Sequence, residues 1–210
     1  MNDDDFGIGN TSMVEINVIL PESCRLYAKC EFENPTGSHK DRVYFSIIEQ
    51  LEKQHTLRKG MTLIDFSSGN GGMALARLGQ LKKYPVKIVI PSQESPEKLK
   101  GIEHYGGEVV LIKSNARLGY IQTEDLLKAR LKAGKIAQDS GFYFLDQANN
   151  PLNREGCKTI GEEIVAFCTK NRIIPDAFIC GIGTGGTISG VGHVLKKMFP
   201  AIKGSVQYFV

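Results

Sequence analysis

Lys40 follows a run of small and turn-forming residues, Asn34-Pro35-Thr36-Gly37-Ser38-His39, and is followed by Asp41-Arg42. A lysine amine held in a dry, glycine-lined pocket can lose its proton and attack a carbonyl carbon to form a Schiff base. Asp41 and Arg42 would anchor the helix that it opens, and His39 would pack or cap. A second stretch, GIGTGGTISG at 181–190, follows the apolar DAFIC and precedes a segment of helical period. Gly183, Thr184, Gly185, Gly186 and Thr187 would offer backbone N–H groups and two hydroxyls to a phosphate at a helix N-terminus. No Gly-Lys-Ser/Thr follows these glycines, so this is not a P-loop, and it lies too late in the chain for a dinucleotide fingerprint. In the third stretch, SSGNGG at 67–72, Ser67, Ser68 and Asn70 could face an anion or a ring oxygen, and a carboxylate would suit them. Each stretch also has an ordinary reading: a solvated lysine, a flexible turn, a pair of helix caps.

The elements that must position these residues alternate. Apolar runs of strand length recur at 26–32, 61–66, 86–90, 108–112, 142–145, 177–180 and 206–210. Several are nearly continuous, as buried parallel strands are. Between them, 40–54, 72–83, 123–138, 155–170 and 187–198 carry helical period. The pattern predicts an α/β fold of parallel strands and covering helices. The glycine and serine loops fall at strand-to-helix junctions, where ligand sites of open α/β sheets lie.

With 41% apolar and 23% charged residues, the composition is that of an ordinary globular protein rather than a disordered one. A net charge of +3 with dispersed Lys and Arg supplies no nucleic-acid face. Asp3-Asp4-Asp5 stands where a signal peptide would be basic, and no apolar run is long enough to span a bilayer, so a cytoplasmic protein is expected. The cysteine count is odd, five, and no two form Cys-x-x-Cys, which favours free thiols. His39, His55, His104 and His193 show no ligand spacing, so no metal is expected.

A lysine able to form an imine, a phosphate cup and a carboxylate loop together describe pyridoxal 5'-phosphate (PLP) and an amino acid. At these residues the chain resembles the cysteine synthase and cystathionine β-synthase family, with the tryptophan-synthase-like type II fold. IGNTSMVEI at 8–16 is similar to the family's opening Ile-Gly-Asn-Thr-Pro-Leu-Val, NPTGSHKDR at 34–42 to its lysine loop, SSGNGG to its Thr-Ser-Gly-Asn-Thr-Gly, and GIGTGGTISG to its phosphate loop. The resemblance implies two open twisted sheets flanked by helices. A smaller domain at 41–147 would carry SSGNGG, and 13–40 with 148–210 would form a larger PLP-binding domain that is incomplete at its C-terminus.

The same resemblance implies that Lys40 holds PLP and acts as general base. Asn70 would meet the ring hydroxyl oxygen, 183–187 would bind the phosphate, and Ser67, Ser68 and Gln147 would hold the substrate carboxylate. The implied reaction is β-replacement on O-acetylserine or O-phosphoserine, with sulfide or another nucleophile, in a homodimer. A serine or threonine dehydratase of the same fold and a truncated, non-catalytic member are the alternatives. Gly71 stands where the family usually has a carboxylate-binding threonine, so restoring that hydroxyl is expected to tighten amino-acid binding if the substrate is the family's usual one, and to weaken it if the glycine makes room for a bulkier or differently held substrate. Family members also continue beyond this length, and the continuation carries the hydroxyl that faces the pyridine nitrogen. These residues alone are therefore expected to be a poor catalyst.

Overall fold

The structure is a computed structural model that describes residues 6–18, 21, 24–67, 69–115, 117 and 122–207. In chain order the elements are β1 (Met13–Glu15), β2 (Tyr27–Lys29), α1 (Lys40–Lys53), β3 (Thr62–Phe66), α2 (Asn70–Lys82), β4 (Val86–Pro91), α3 (Pro96–His104), β5 (Glu108–Ile112), α4 (Thr123–Ile136), β6 (Phe142–Phe144), α5 (Leu152–Asn171), β7 (Ala177–Gly181), α6 (Gly186–Met198) and β8 (Lys203–Gln207). They fall into two compact units, Tyr44–Asn153 and Met1–Val43 with Arg154–Val210.

Tyr44–Asn153 is built on a four-stranded sheet in the order β5-β4-β3-β6, with every neighbouring pair parallel. Alternation along β3 sends Ile64 and Phe66 to one face and Leu63 and Asp65 to the other. On the first face Ile64 and Val89 pack against Ala129 and Ala133 of α4, with Phe66, Val110, Ile112, Phe142 and Phe144 around them. Burial of each large apolar side chain there contributes about 2 kcal/mol. On the opposite face Ile88 meets the start of α2 at Gly72. Asp65 thus points away from the apolar cluster.

The other unit pairs β1 with β2 antiparallel, Met13 opposite Lys29, and β7 with β8 parallel, Ala177 opposite Lys203. Its core includes Phe6, Ile8, Cys157, Ile160, Ile164, Val191, Leu195 and Ile202, all buried. Helices α5 and α6 cross closely enough that a Cβ on Gly190 would lie 2.7 Å from that of Cys157.

Several elements depart from the expected ones. The 26–32 run shortens to β2 and then turns into a 3-10 helix, Glu31–Glu33, because both glutamates leave the strand direction for partners elsewhere. Glu33 accepts the Ser12 N–H at 2.6 Å and Glu31 receives the Arg42 guanidinium. Helix α3 ends just before Gly106-Gly107, a pair that reads as a helix end; Ser95 caps its start by accepting the Lys98 N–H and Pro96 opens it. The final strand begins at Lys203 rather than Val206, and 208–210 lie outside the described residues. All five cysteines are free thiols. Among the described residues no helix is long and apolar enough to cross a membrane, and no group of three or more His, Cys, Asp or Glu could hold a metal.

Candidate functional site

In the unit formed by Met1–Val43 and Arg154–Val210, the lysine loop is closed by its own polar groups. The Thr36 N–H and hydroxyl both donate to Asp41 Oδ2, at 3.0 and 2.7 Å, and the Gly37 N–H donates to Asn34 O at 2.7 Å. Lys40 is the first residue of α1, half-buried, with its N–H donated to Ser38 Oγ. Two residues on, Arg42 fixes the helix start. Its Nε and Nη2 fork onto Glu31 at 2.8 Å each, and Nη1 and Nη2 reach Glu163 of α5 at 2.5 and 2.9 Å. Lys29 adds a second positive charge at 2.7 Å from Glu163. Asp41 and Arg42 thus anchor the helix through separate partners.

Electrostatics around Lys40 follow from this packing. Burial, then the Lys40 charge, push the His39 imidazole down to about 4, so it is neutral at pH 7. Burial pushes the Cys157 thiol up to about 11, against the pull of the Lys40 charge and of a hydrogen bond with Thr187.

The glycine-threonine loop leaves β7 at Gly181 and enters α6 at Gly186. Gly185 takes the left-handed conformation, φ 80°, which glycine adopts without strain. As the N-cap it has no side chain to offer as an acceptor. A Cβ at Gly183 or Gly185 would meet nothing within 4 Å. Gly183 and Thr184 are exposed, Gly185 and Thr187 half-buried and Gly186 buried. Open space at Gly183 and Gly185 before a helix N-terminus, in a loop that carries two threonines, fits a phosphate group.

In Tyr44–Asn153 the second candidate cluster surrounds the start of α2. Ser67 is buried, and its Oγ accepts the N–H groups of Gly69 at 3.1 Å and Gly72 at 2.9 Å. It caps the helix, and with both lone pairs engaged its O–H proton remains to donate. Asn70 is exposed as the first residue of α2, and Ser68 lies outside the described residues. Gln147 is buried, its N–H donated to Asp65 Oδ2 at 3.1 Å and its carbonyl accepting from Asn153 Nδ2 at 2.9 Å.

Asp65 ties this cluster together. Its Oδ2 also accepts the Tyr44 hydroxyl at 3.0 Å, and Oδ1 accepts the Phe66 N–H at 2.8 Å. Burial raises its carboxyl to about 7, against those three donors and with the Asp146 charge adding to the rise. Tyr44, fully buried above it, is raised well beyond the ordinary phenol value, first by burial and then by the Asp65 charge. Gly71, buried in the first turn of α2, lies directly against Ser67 and Tyr44. A Cβ added at 71 would stand closer to both than ordinary van der Waals contact.

Tyr44, Asp65, Cys157, Glu31 and Glu163 are absent from the residues singled out in the sequence. Asp65 had a signal, an acid inside the apolar TLIDF; the others became visible only through their partners.

The chain is 36% identical over 199 residues to a cysteine synthase of Staphylococcus aureus, covering 93% of this chain and 61% of that protein. To the cystathionine beta-synthase of Rattus norvegicus it is 38% identical over 202 residues, covering 93% of this chain and 34% of the relative. Among solved structures, an O-ureido-L-serine synthase superposes with a TM-score of 0.84 at 32% identity, over 96% of this chain and 61% of that one. A hydrogen sulfide-producing enzyme from Fusobacterium nucleatum gives 0.81 at 34% identity, over 95% and 62%. The chain thus spans about three-fifths of the length of these proteins, or less, and has their α/β fold. Residues 5–206 match the family described as pyridoxal-phosphate dependent enzyme, and with that match this chain belongs to the PLP-dependent enzymes.

Proposed function

We propose that this chain carries out, or forms part of an enzyme that carries out, PLP-dependent β-replacement on an activated serine, O-acetylserine or O-phosphoserine, with sulfide or a related nucleophile. Lys40 is the covalent attachment point of the cofactor. Gly183, Thr184, Gly185, Gly186 and Thr187 hold its phosphate through the first-turn N–H groups of α6 and the two hydroxyls. Asn70 meets the ring hydroxyl oxygen. Bound PLP supplies an electron sink that acidifies the substrate α-carbon and eases departure of the β-substituent.

The chain's own groups do the rest. Lys40 Nζ takes the proton from the α-carbon as general base. The neutral His39 places no second positive charge beside that amine. Ser67 donates its remaining O–H to the substrate carboxylate, with Ser68 and Gln147 as further donors. The domains divide accordingly: 41–147 serves the amino acid, and 13–40 with 148–210 serves the cofactor. A cytoplasmic homodimer is the working assembly.

The observation that most supports this reading is the open space at Gly183 and Gly185 before α6, on the same unit as Lys40. Loaded with PLP and given O-acetyl-L-serine and sulfide, the chain is expected to release L-cysteine and acetate in equal amounts, read by chromatography. Pyruvate in place of cysteine would make it a dehydratase-like lyase. No consumption of the amino acid by PLP-loaded protein, together with no change in the absorbance of the bound cofactor when the amino acid is added, would overturn the assignment.

A further inference from the structure

We propose that Tyr44 is a specificity-determining partner of the start of α2: its ring and hydroxyl fill the space a side chain at 71 would need, so position 71 contributes no side chain to the holding of an amino-acid carboxylate there. The inference rests on the reading of this loop as the amino-acid site.

Nothing in the backbone requires glycine at 71. It lies inside α2 and is not among the positive-φ residues, and in such a position alanine is the better helix former. The surroundings require it. A Cβ at 71 would stand 3.0 Å from Ser67 Oγ, 3.2 Å from Tyr44 Cε2 and 3.3 Å from Tyr44 Oη. Each is tighter than ordinary van der Waals contact, so the outcome depends on whether those neighbours can yield.

Neither can yield easily. Ser67 Oγ is held by the Gly69 and Gly72 N–H groups, and moving it uncaps α2. Tyr44 is 0% exposed, and its hydroxyl is held at 3.0 Å by Asp65 Oδ2, the oxygen that also takes the Gln147 N–H. Displacing the ring would break a buried hydrogen bond and disturb the backbone of Gln147, a candidate carboxylate donor. Tyr44 and Gly71 are therefore a matched pair, large below and bare above. One carboxylate, Asp65, connects that pair to Gln147. Tyr44 itself touches no ligand; it acts through position 71 and through Asp65, as a positioning residue.

A double-mutant cycle on the PLP-loaded chain tests this, with O-acetyl-L-serine and L-serine as probes. Gly71→Thr alone is expected to weaken binding of both at least tenfold and to lower Tm. Tyr44→Ala combined with Gly71→Thr is expected to recover most of the affinity, a coupling of tenfold or more, about 1.4 kcal/mol. Tyr44→Phe keeps the ring, so Gly71→Thr stays harmful in that background. Gly71→Ala, which adds the Cβ alone, is expected to show the same sign on a smaller scale, and carries the test if the threonine form does not fold. A merely structural pair would shift Tm together while leaving the KM of the folded enzyme unchanged, which would overturn the proposal. So would Gly71→Thr binding as tightly as the parent with Tyr44 in place, or independent effects of the two changes. Either result with PLP and amino acid still bound would leave the functional reading standing; failure of every form to bind the amino acids would overturn both.

Discussion

Asp65 sits in the middle of the apolar strand β3, yet one of its oxygens holds both the Tyr44 hydroxyl and the Gln147 backbone. Its carboxyl is raised from the ordinary 3.8 to about 7, chiefly by burial. The folded chain therefore binds this proton more readily than the unfolded chain, and between about 4 and about 7 the group costs stability as pH rises. His39 works in the opposite sense over much the same range. Lowered from 6.5 to about 4, mainly by burial, it allows full stability above 6.5 and costs stability as pH falls towards 4. The two oppose each other, so the parent's slope is a difference. Asp65→Asn removes one side of it, and its stability relative to the parent should rise with pH from about 4 to about 7, by no more than about 4 kcal/mol. Urea midpoints across that range check it, and a constant difference between the two proteins would contradict it. The acid inside TLIDF was visible in the sequence as an anomaly. Tyr44 was not, because its meaning depends on a glycine and a carboxylate that are distant in the chain and close only once β3 and α2 have formed.

Among the elements, α1 depends most on distant help. Its first turn presents Lys40, and Arg42, with a side chain only 2% exposed, joins that turn to the Glu31 turn and to α5 through Glu163. Burial raises the Glu163 carboxyl, but hydrogen bonds from Arg42, Lys29 and the Asn10 N–H outweigh it and hold it at about 2, against an ordinary 4.5. This stabilisation is complete above 4.5 and is lost as pH falls towards 2. Glu163→Gln should cost about 3 kcal/mol at pH 7, because it leaves a buried guanidinium with part of its compensation gone. The variant should also lose that part of the acid dependence, which thermal unfolding at pH 7 and pH 3 would reveal. At the start of α6, Thr184→Val with Thr187→Val removes two hydroxyls from the proposed phosphate cup. PLP affinity, measured by equilibrium dialysis, should fall at least tenfold, since hydrogen bonds to a charged group are worth about 1.5 to 3 kcal/mol each. Unchanged affinity would remove the loop from the site. Most helices were legible from period alone. Helix α3 shows little period because it is short, with one fully buried apolar residue, Ile102, and is legible instead from Ser95-Pro96 at its start and Gly106-Gly107 at its end.

At the scale of the whole chain, the alternation of strands and helices sufficed for the α/β class, and the parallel order β5-β4-β3-β6 follows from near-continuous apolar strands joined by helices. The short strand β1 escaped notice because only Met13, Val14 and Glu15 pair, half-buried or exposed, which leaves almost no hydrophobic pattern to read. The candidate site residues stand out by type because lysine, glycine and hydroxyl loops have few joint uses. Their supports do not, since ion pairs such as Arg42 with Glu163 join positions more than a hundred residues apart. The account rests on Lys40 as the residue that holds PLP. Incubating the chain with PLP, reducing it with borohydride and mapping its peptides by mass spectrometry tests this directly. The account predicts a phosphopyridoxyl group on Lys40 and, in Lys40→Ala, no modified lysine at all; the same group found on another lysine in the parent chain, or no group on any, would contradict it.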